Sequence, residues 1–331
     1  MSEIYPISLV IAGYLGYSGY GKGSLSLDGA MTASAVGYAT MANPFVGYGL
    51  TLITFYLTGS KATKFKASVK AQLETHATIE PLDSTPDEKK GVKKRDTTSG
   101  NRNAIQVLCN SATAVVACIA FRVLNRGRAD VDPMGKVVLK VIAGVRVSNL
   151  MLTLIVGGHY AACMGDTLAS ELGILSKSQP RLITSPWKIV PKGTNGGISP
   201  LGLIVSALGG TLIGVIQTLC LLIHYQSINQ SQLNSSEKHA KLIALLTASG
   251  LFGSLMDSLL GATLQQTLYN NKSKKVLVGT VIDVIDGKNK QDVNAQWVKV
   301  TGWNVLDNNA VNFIASAMTA VATAWIGLKL F

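Results

Sequence analysis

Long stretches without a single Asp, Glu, Lys or Arg dominate this sequence. They are Ile4–Gly21, Gly29–Ser60, Asn103–Phe121, Val147–Gly165, Gly193–Ser236 and Asn308–Leu328. A further stretch, Leu242–Gln266, is interrupted only by Asp257. Since a helix needs about 20 consecutive, mostly apolar residues to cross a bilayer, these stretches predict an all-α, polytopic bundle of transmembrane helices.

The composition supports this interpretation. Charged residues make up only 15% of the chain, hydrophobic residues make up 47%, and the mean hydropathy is +0.31. Soluble domains carry about 25% charged residues, so this composition disfavours a soluble enzyme and, still more, a disordered or fibrous chain. The net charge of +12 fits the Lys and Arg that collect in cytoplasmic loops. No basic face interleaved with aromatic residues accompanies it, so we expect a lipid bilayer and no nucleic acid as partner.

The fifth stretch is too long for one helix. It begins with Gly, Asn, Ser and Pro residues that predict a loop, so we place its helix at about Leu201–Tyr225. Seven segments result, or six if Ile4–Gly21 lies in the membrane interface. The whole chain, 1–331, is then a single integral membrane domain.

Two long loops interrupt the predicted bundle. The 60–102 loop is polar, and its Pro/Asp/Lys-rich middle, from Pro81 to Arg95, is predicted to be disordered. The 267–307 loop contains the alternating patch Val298–Thr301, which predicts a small β-hairpin. Both loops are predicted on the cytoplasmic side.

Basic residues decide this orientation. The loops 60–102, 166–199 and 267–307 hold ten, four and six Lys or Arg residues, and the rest of the chain holds ten. Cytoplasmic loops collect such residues, so we predict that these loops and the N-terminus are cytoplasmic. The glycosylation sequons at Asn229 and Asn234 then face a lumen. No cleavable signal precedes the first stretch, and an endomembrane such as the endoplasmic reticulum is the expected location.

Acidic residues gather near the predicted cytoplasmic ends of the segments. They are Asp166, Glu171, Asp257 and Asp307. An ionised carboxylate in hydrocarbon costs roughly 2.5–3.5 kcal/mol, so Asp257 is expected to face the bundle interior, toward a cation or water. The alternatives are an interhelical hydrogen bond at Asp257, a solvated helix end at Glu171 and a helix N-cap at Asp307.

A Gly-rich, basic loop lies between Pro180 and Gly202. Its glycines let backbone N–H groups turn toward an anion, its basic residues supply cations, and the next helix directs its N-terminus to the same place. The candidate phosphate-binding residues are Arg181, Lys188, Lys192, Gly193, Thr194, Asn195, Gly196 and Gly197. An ordinary turn is the alternative, since neither the P-loop nor the Rossmann spacing is present. With carboxylates that suit Mg²⁺, the loop predicts a site for a magnesium nucleotide or a diphosphate.

Several short motifs follow one another along nearly the whole chain. They are Gly23–Val36, Phe55–Lys64, Asn101–Val107, Gly165–Glu171, Pro180–Thr184, Gly193–Gly197, Gly253–Gln265 and Leu306–Asn312. In content and order they resemble the transmembrane protein 19 family, which includes the plant phytyl-phosphate kinase. Leu168 and Ser185 depart from the Trp and Thr usual in that family, and neither is a proposed ligand.

This resemblance implies a Mg²⁺-dependent kinase that transfers a phosphoryl group from CTP or ATP to an isoprenyl, phytyl-like monophosphate. The four carboxylates would then be catalytic, with Asp166, Asp257 and Asp307 holding the metal. The loop residues would bind phosphates, and Ser60, Lys61 and Lys64 would bind the acceptor phosphate at the interface. Asn308 and Asn312 would orient the metal or the donor.

Two other classes of function stay open at this point. One is a transporter or channel that uses Asp257 as its ion-coupling site, and the other is a non-catalytic membrane protein. A transporter would centre its polar motifs near the membrane midplane, whereas these motifs gather at one predicted face. That difference favours the enzyme.

Overall fold

The computed structural model describes residues 4–65, 69, 73–76, 101–278 and 297–331, and most of them are helical. The helices are α1 (Pro6–Gly21), α2 (Leu27–Met41), α3 (Gly47–Lys64), α4 (Ala104–Cys109), α5 (Ala112–Leu124), α6 (Asn149–Gly173), α7 (Pro200–Ser227), α8 (Ser236–Leu264) and α9 (Asn308–Leu330). Among the described helices, three are long and apolar enough to cross a membrane, namely α7, α8 and α9. A mostly helical chain with membrane-spanning helices is thus confirmed, and the count of six or seven spans stays a prediction.

The uncharged stretch Gly29–Ser60 forms two helices, so the single segment predicted there is wrong. The break between α2 and α3 contains Asn43 and Pro44. Proline cannot donate a backbone hydrogen bond and disfavours helical backbone at the residue before it. The Asn43 side chain also donates to the Cys118 carbonyl oxygen at 2.8 Å, which fixes this turn against α5.

The third stretch also breaks, at Asn110 and Ser111 between α4 and α5. The side chains of these two residues donate to carbonyl oxygens of the preceding turn, at 2.8 Å and 2.7 Å respectively. Such bonds compete with the regular backbone ladder of a helix. In contrast, α6 continues beyond the predicted end at Gly165 and includes both Asp166 and Glu171.

Strands accompany the helices, so the fold is not purely α. The strands are β1 (Glu74–His76), β2 (Val138–Ile142), β3 (Val145–Ser148), β4 (Arg181–Leu182), β5 (Ser185–Ile189), β6 (Gly197–Ile198), β7 (Thr267–Asn270), β8 (Lys275–Val278) and β9 (Trp297–Thr301). They form a β2–β3 hairpin, a three-stranded sheet in the order β5-β4-β6 and a four-stranded sheet in the order β1-β8-β7-β9. The predicted hairpin patch Val298–Thr301 is the edge strand β9, antiparallel to β7. The predicted disordered segment, Pro81 to Arg95, lies outside the described residues.

The bundle centre depends on close contact between glycines of α6, α7 and α8. A β-carbon added to Gly165 would lie 2.3 Å from the Gly250 carbonyl oxygen, and one added to Gly250 would lie 2.7 Å from the Gly210 Cα. Small residues of this kind let transmembrane helices approach closely. The contact sets the positions of Asp166 and Asp257, which follow on α6 and α8.

The contacts between helix termini show that the bundle has two ends. We call the end where α6 finishes and α7 begins the site face, and the other end the far face. Asn125, just after α5, donates to Asn149 at the start of α6 at 2.7 Å, and Arg122 lies 4.7 Å from the centre of the Tyr5 ring. Residue 5 is therefore at the far face, and the prediction that the N-terminus shares a side with the 166–199 loop is wrong. The physical reason is that the stretch Gly29–Ser60, predicted as a single segment, folds into the two helices α2 and α3.

Candidate functional site

A cavity of about 500 Å³ opens among the helices at the site face. Its wall includes residues of α1 to α4, α6, α7, α8 and α9 and of the loop before α7. The predicted site residues that line it are Asp166, Glu171, Lys192, Gly193, Thr194, Asn195, Gly196, Gly197, Asp257, Asn308 and Asn312. Residues far apart in the chain therefore share one cavity.

Asp166 and Asp257 form the acidic centre of this cavity. They interact electrostatically across the contact between α6 and α8, and both also line a small adjoining pocket together with Asn312. The Asn312 amide, in the orientation that satisfies both of its ends, donates to the Asp257 carboxylate at 2.9 Å and to the Asn308 carbonyl oxygen at 3.1 Å. Two neighbouring carboxylates repel each other when both are ionised, and a cation between them relieves that repulsion.

The donor set fits Mg²⁺ with two protein carboxylates. Among the described residues, no three His, Cys, Asp or Glu side chains come together as a metal-binding group. Mg²⁺ is commonly held by one or two carboxylates and takes its remaining ligands from substrate phosphates and water. Asp166 and Asp257 satisfy that requirement.

Glu171 lies one and a half turns beyond Asp166, on the side of the cavity formed by α3. It accepts a hydrogen bond from the Thr63 hydroxyl at 3.2 Å. The expectation of a merely solvated helix end does not describe this position, because Glu171 is partly buried and lines the cavity.

The glycine loop closes the cavity on the side of α8. Gly193 and Gly196 have φ values of +87° and +77°, which glycine adopts without strain. A β-carbon on Gly196 would lie 2.3 Å from the Ala262 Cβ, so the loop backbone packs directly on α8. Within the part of the chain that the structure describes, the N–H groups of Gly193 and Gly196 have no hydrogen-bond acceptor. Both glycines line the cavity.

The N-terminus of α7, which follows this loop, has one of its backbone N–H groups already bonded to a side chain. Ser199 caps α7, because its hydroxyl oxygen accepts from the Gly202 N–H at 3.1 Å and its hydroxyl donates to the Gly173 carbonyl oxygen at 3.2 Å. A side-chain cap of this kind occupies a donor that would otherwise meet an anion. The other donors of this region that line the cavity belong to the loop and to Lys192.

Several predicted site residues lie outside the cavity lining. Asp307 is the N-cap of α9 and accepts from the Ala310 N–H at 2.8 Å. Arg181 donates to the Pro186 carbonyl oxygen at 2.9 Å, and Lys188 donates to that of Val300 at 3.2 Å. The Arg181 bond stays within the three-stranded sheet, whereas the Lys188 bond joins that sheet to β9 of the four-stranded sheet.

The predicted acceptor-phosphate residues lie in the last turns of α3. Lys61 and Lys64 are exposed and do not line the cavity. The Ser60 hydroxyl instead accepts a hydrogen bond from the Arg102 guanidinium at 3.5 Å. The structure does not bring the two lysines to the carboxylates.

Arg102 lines the cavity but was not among the predicted site residues. It lies just before α4. Tyr56 and Thr63 of α3 also line the cavity. Burial lowers the pKa of Arg102, while the neighbouring Glu171 carboxylate acts in the opposite direction. Its position, alone between a polar loop and an uncharged stretch, was the available signal in the sequence.

A largely apolar part of the cavity wall belongs to α1, α2 and α3. Its apolar members include Ala12, Leu15, Val36, Met41, Leu52, Ile53 and Phe55. One connected space thus has acidic, basic and glycine-loop groups on one part of its wall and hydrocarbon side chains on another. Such a space suits an amphiphile with a charged head and an apolar chain.

Comparisons with known proteins agree with the membrane character of the chain. A family model described as "Integral membrane protein DUF92" matches residues 10–320. "Protein PGR" of Arabidopsis thaliana is 32% identical over 329 residues, which cover 98% of this chain and 96% of that protein. An uncharacterized membrane protein of Methanocaldococcus jannaschii is 35% identical over 127 residues, covering 38% of this chain and 46% of its own. No solved structure matches the chain significantly.

Proposed function

The chain belongs to the integral membrane protein family DUF92, and on that premise we propose that it is a membrane kinase for isoprenyl monophosphates. Its relative in Arabidopsis thaliana is a member of the transmembrane protein 19 family, so the family resemblance found in the motifs is confirmed. The proposed reaction moves a phosphoryl group from a nucleoside triphosphate, CTP or ATP, to the monophosphate.

One observation carries this proposal, namely the single cavity in which an acidic centre and a glycine loop adjoin an apolar wall. A lipid monophosphate needs a place for its charged head beside a place for its chain, and the cavity offers both. A nucleotide needs phosphate-binding N–H groups and a cation, which the loop, Lys192 and the carboxylate pair supply.

The chemistry requires little beyond positioning and charge neutralisation. An oxygen of the acceptor monophosphate attacks the γ-phosphorus, and the bond from that phosphorus to the bridging oxygen breaks as the nucleoside diphosphate leaves. The acceptor is already an oxyanion near neutral pH, so no strong general base is needed. The chain's own part is to hold the two phosphates in line and at contact distance.

Asp166 and Asp257 would hold Mg²⁺, and Asn312 would orient the Asp257 carboxylate through their hydrogen bond. The metal, when bound, would offset phosphate charge. The Gly193 and Gly196 N–H groups would face the donor phosphates. Lys192, whose ammonium donates to the Ser176 carbonyl oxygen at 2.5 Å, would approach them from the same loop.

The site face is proposed to be cytoplasmic, because nucleoside triphosphates enter from there. The correction of the path of α1 to α3 transfers one basic residue, Lys22, from the far face to the site face. The site face therefore keeps the excess of Lys and Arg that marks a cytoplasmic side. The described N-terminal residues then lie on the opposite side, which is lumenal in an endomembrane such as the endoplasmic reticulum. We propose that α1 to α6 also lie within the bilayer.

The transporter alternative has less support in the geometry. Asp257 lies in the last third of α8, and its neighbours Asn308 and Asn312 are at the beginning of α9. The acidic centre is therefore near one end of the bundle, whereas a coupling-ion site is expected near the middle of the membrane. A non-catalytic scaffold gives no reason for half-buried carboxylates that line a cavity.

The test is an assay of purified protein in lipid nanodiscs with Mg²⁺, γ-labelled CTP or ATP, and phytyl or geranylgeranyl monophosphate. Labelled isoprenyl diphosphate is expected. The variant Asp257→Asn should lower the rate at least about hundredfold without a change in thermal unfolding. The matched control is Asp130→Asn, since Asp130 is an exposed far-face carboxylate paired with Arg128 at 3.3 Å. No product with any donor or chain length would refute the kinase.

A further inference from the structure

Two basic side chains among the described residues line the cavity, Lys192 and Arg102. Lys192 belongs to the glycine loop, next to α8. Arg102 is on the other side, between α2, α3 and α6. A cavity that holds two phosphates needs cationic groups for both. Lys192 and Arg102 lie on different walls of the cavity, so each is placed to contact a different phosphate.

The fold fixes the backbone of Arg102 tightly. Its N–H donates to the Ser24 carbonyl oxygen at 3.1 Å, and its carbonyl oxygen accepts from the Ser26 N–H at 3.1 Å. The Ser26 hydroxyl donates to the same carbonyl oxygen at 3.2 Å. Two residues further on, the Ala104 N–H donates to the Asp28 carboxylate at 2.9 Å. The turn between α1 and α2 therefore positions Arg102.

This contact also explains a glycine in the same turn. A β-carbon on Gly29 would lie 2.1 Å from the Arg102 carbonyl oxygen, so no larger residue fits without moving one of the two segments. By contrast, a β-carbon on Gly59 would lie 3.6 Å from the Arg102 guanidinium, which is ordinary contact. The motifs Gly23–Val36, Phe55–Lys64 and Asn101–Val107 thus meet at one arginine.

The guanidinium end of Arg102 lies among polar groups of α3 and α6. It donates to the Ser60 hydroxyl at 3.5 Å, and Glu171 and Tyr56 interact with it electrostatically. Arginine stays charged in proteins, and its planar fork matches two oxygens of a phosphate. A phosphate in the cavity would meet this cation beside the Glu171 carboxylate and would engage both arms of the fork, whereas the Ser60 hydroxyl accepts from one nitrogen at 3.5 Å.

We propose that Arg102 binds the phosphate of the isoprenyl monophosphate acceptor, a role the sequence analysis gave to Lys61 and Lys64. This inference rests on the proposed function. The acceptor is assigned rather than the donor because Arg102 adjoins the helices of the apolar wall, including Leu52, Ile53 and Phe55. The donor phosphates are left to Lys192 and the glycine loop.

The experiment measures binding separately from turnover. Affinities of geranylgeranyl monophosphate and of geranylgeraniol are measured for the protein in nanodiscs without nucleotide. The wild type is expected to prefer the monophosphate. Arg102→Gln should weaken monophosphate binding about ten- to hundredfold and leave the alcohol unchanged. Arg102→Lys keeps the charge but not the planar fork, so its affinity for the monophosphate should lie between those of the wild type and Arg102→Gln.

The control is Lys22→Gln, because Lys22 is an exposed basic residue at the site face and outside the cavity lining. It should bind both compounds as the wild type does. In turnover assays, Arg102→Lys should raise the KM for the acceptor and not the KM for the nucleotide.

The two proposals fail in different ways. Unaltered preference for the monophosphate in Arg102→Gln would overturn the role of Arg102, even if the kinase is active. A rise confined to the nucleotide KM would overturn it as well. Arg102-dependent binding of the monophosphate by a protein that turns nothing over would refute the kinase and support the role of Arg102.

Discussion

Gly165 of α6 and Gly250 of α8 are in direct backbone contact, since a β-carbon on Gly165 would lie 2.3 Å from the Gly250 carbonyl oxygen. The two helices can approach this closely only because neither residue has a side chain. The next residue after Gly165 is Asp166, so the packing contact and the acidic centre of the cavity depend on the same crossing.

Replacing Gly165 should therefore damage both stability and the site. We expect Gly165→Ala to lower the free energy of unfolding by about 1–3 kcal/mol, as overpacking does. Thermal unfolding in detergent measures this. Gly13→Ala is the control, because a β-carbon on Gly13 meets nothing within 4 Å. Equal melting temperatures for the two variants would contradict the proposed close packing.

Gly196→Ala should impair the glycine loop through both strain and collision. Its φ of +77° is unfavourable for alanine, and the new β-carbon would lie 2.3 Å from the Ala262 Cβ. The KM for the nucleotide is expected to rise at least about tenfold. Gly144→Ala is the matched variant, since Gly144 has a φ of +82° with open space around it. A similar KM in both variants would argue against a donor site at this loop.

Asp307→Ala should lower the free energy of unfolding by about 1 kcal/mol, because it removes the N-cap of α9. Asp307→Asn should cost less, since asparagine caps helices about as well as aspartate. Chemical denaturation of both variants provides the comparison. An equal loss of unfolding free energy in both variants would indicate that α9 requires the charge of Asp307 rather than its capping hydrogen bond.

The two faces of the bundle can be assigned by labelling. In sealed vesicles with the cytoplasmic side outward, a membrane-impermeant maleimide should react with Trp187→Cys. It should react with Arg128→Cys only after detergent is added. Both positions are exposed, and the half-buried native Cys109 is replaced by Ser in the background. Reaction of Arg128→Cys in sealed vesicles would contradict the proposed orientation, and equal reaction of both would contradict the two faces.

Much of the architecture was predictable from the sequence. The uncharged stretches gave the ends of α7 and α9 to within two residues, because a helix in lipid must be mostly apolar to satisfy its backbone. They missed the first six residues of α8, which begins at Ser236, before the stretch that starts at Leu242. The carboxylates and the glycine loop were recognised because such groups are unusual next to apolar helices. The two broken stretches were missed, since polar residues such as Asn43 and Asn110 carry no charge to mark a boundary.

The sequence by itself determined that this is a membrane protein of mostly helical structure with acidic residues and a glycine loop at helix ends. Only the tertiary structure decided which of these groups meet. Asp257 joins Asp166 because the glycines let α6 and α8 touch, whereas Asp307 is used as a helix cap. Arg102 enters the cavity because its backbone pairs with the turn before α2. Contacts between residues so distant in the chain depend on helix packing, which no local pattern of residues encodes.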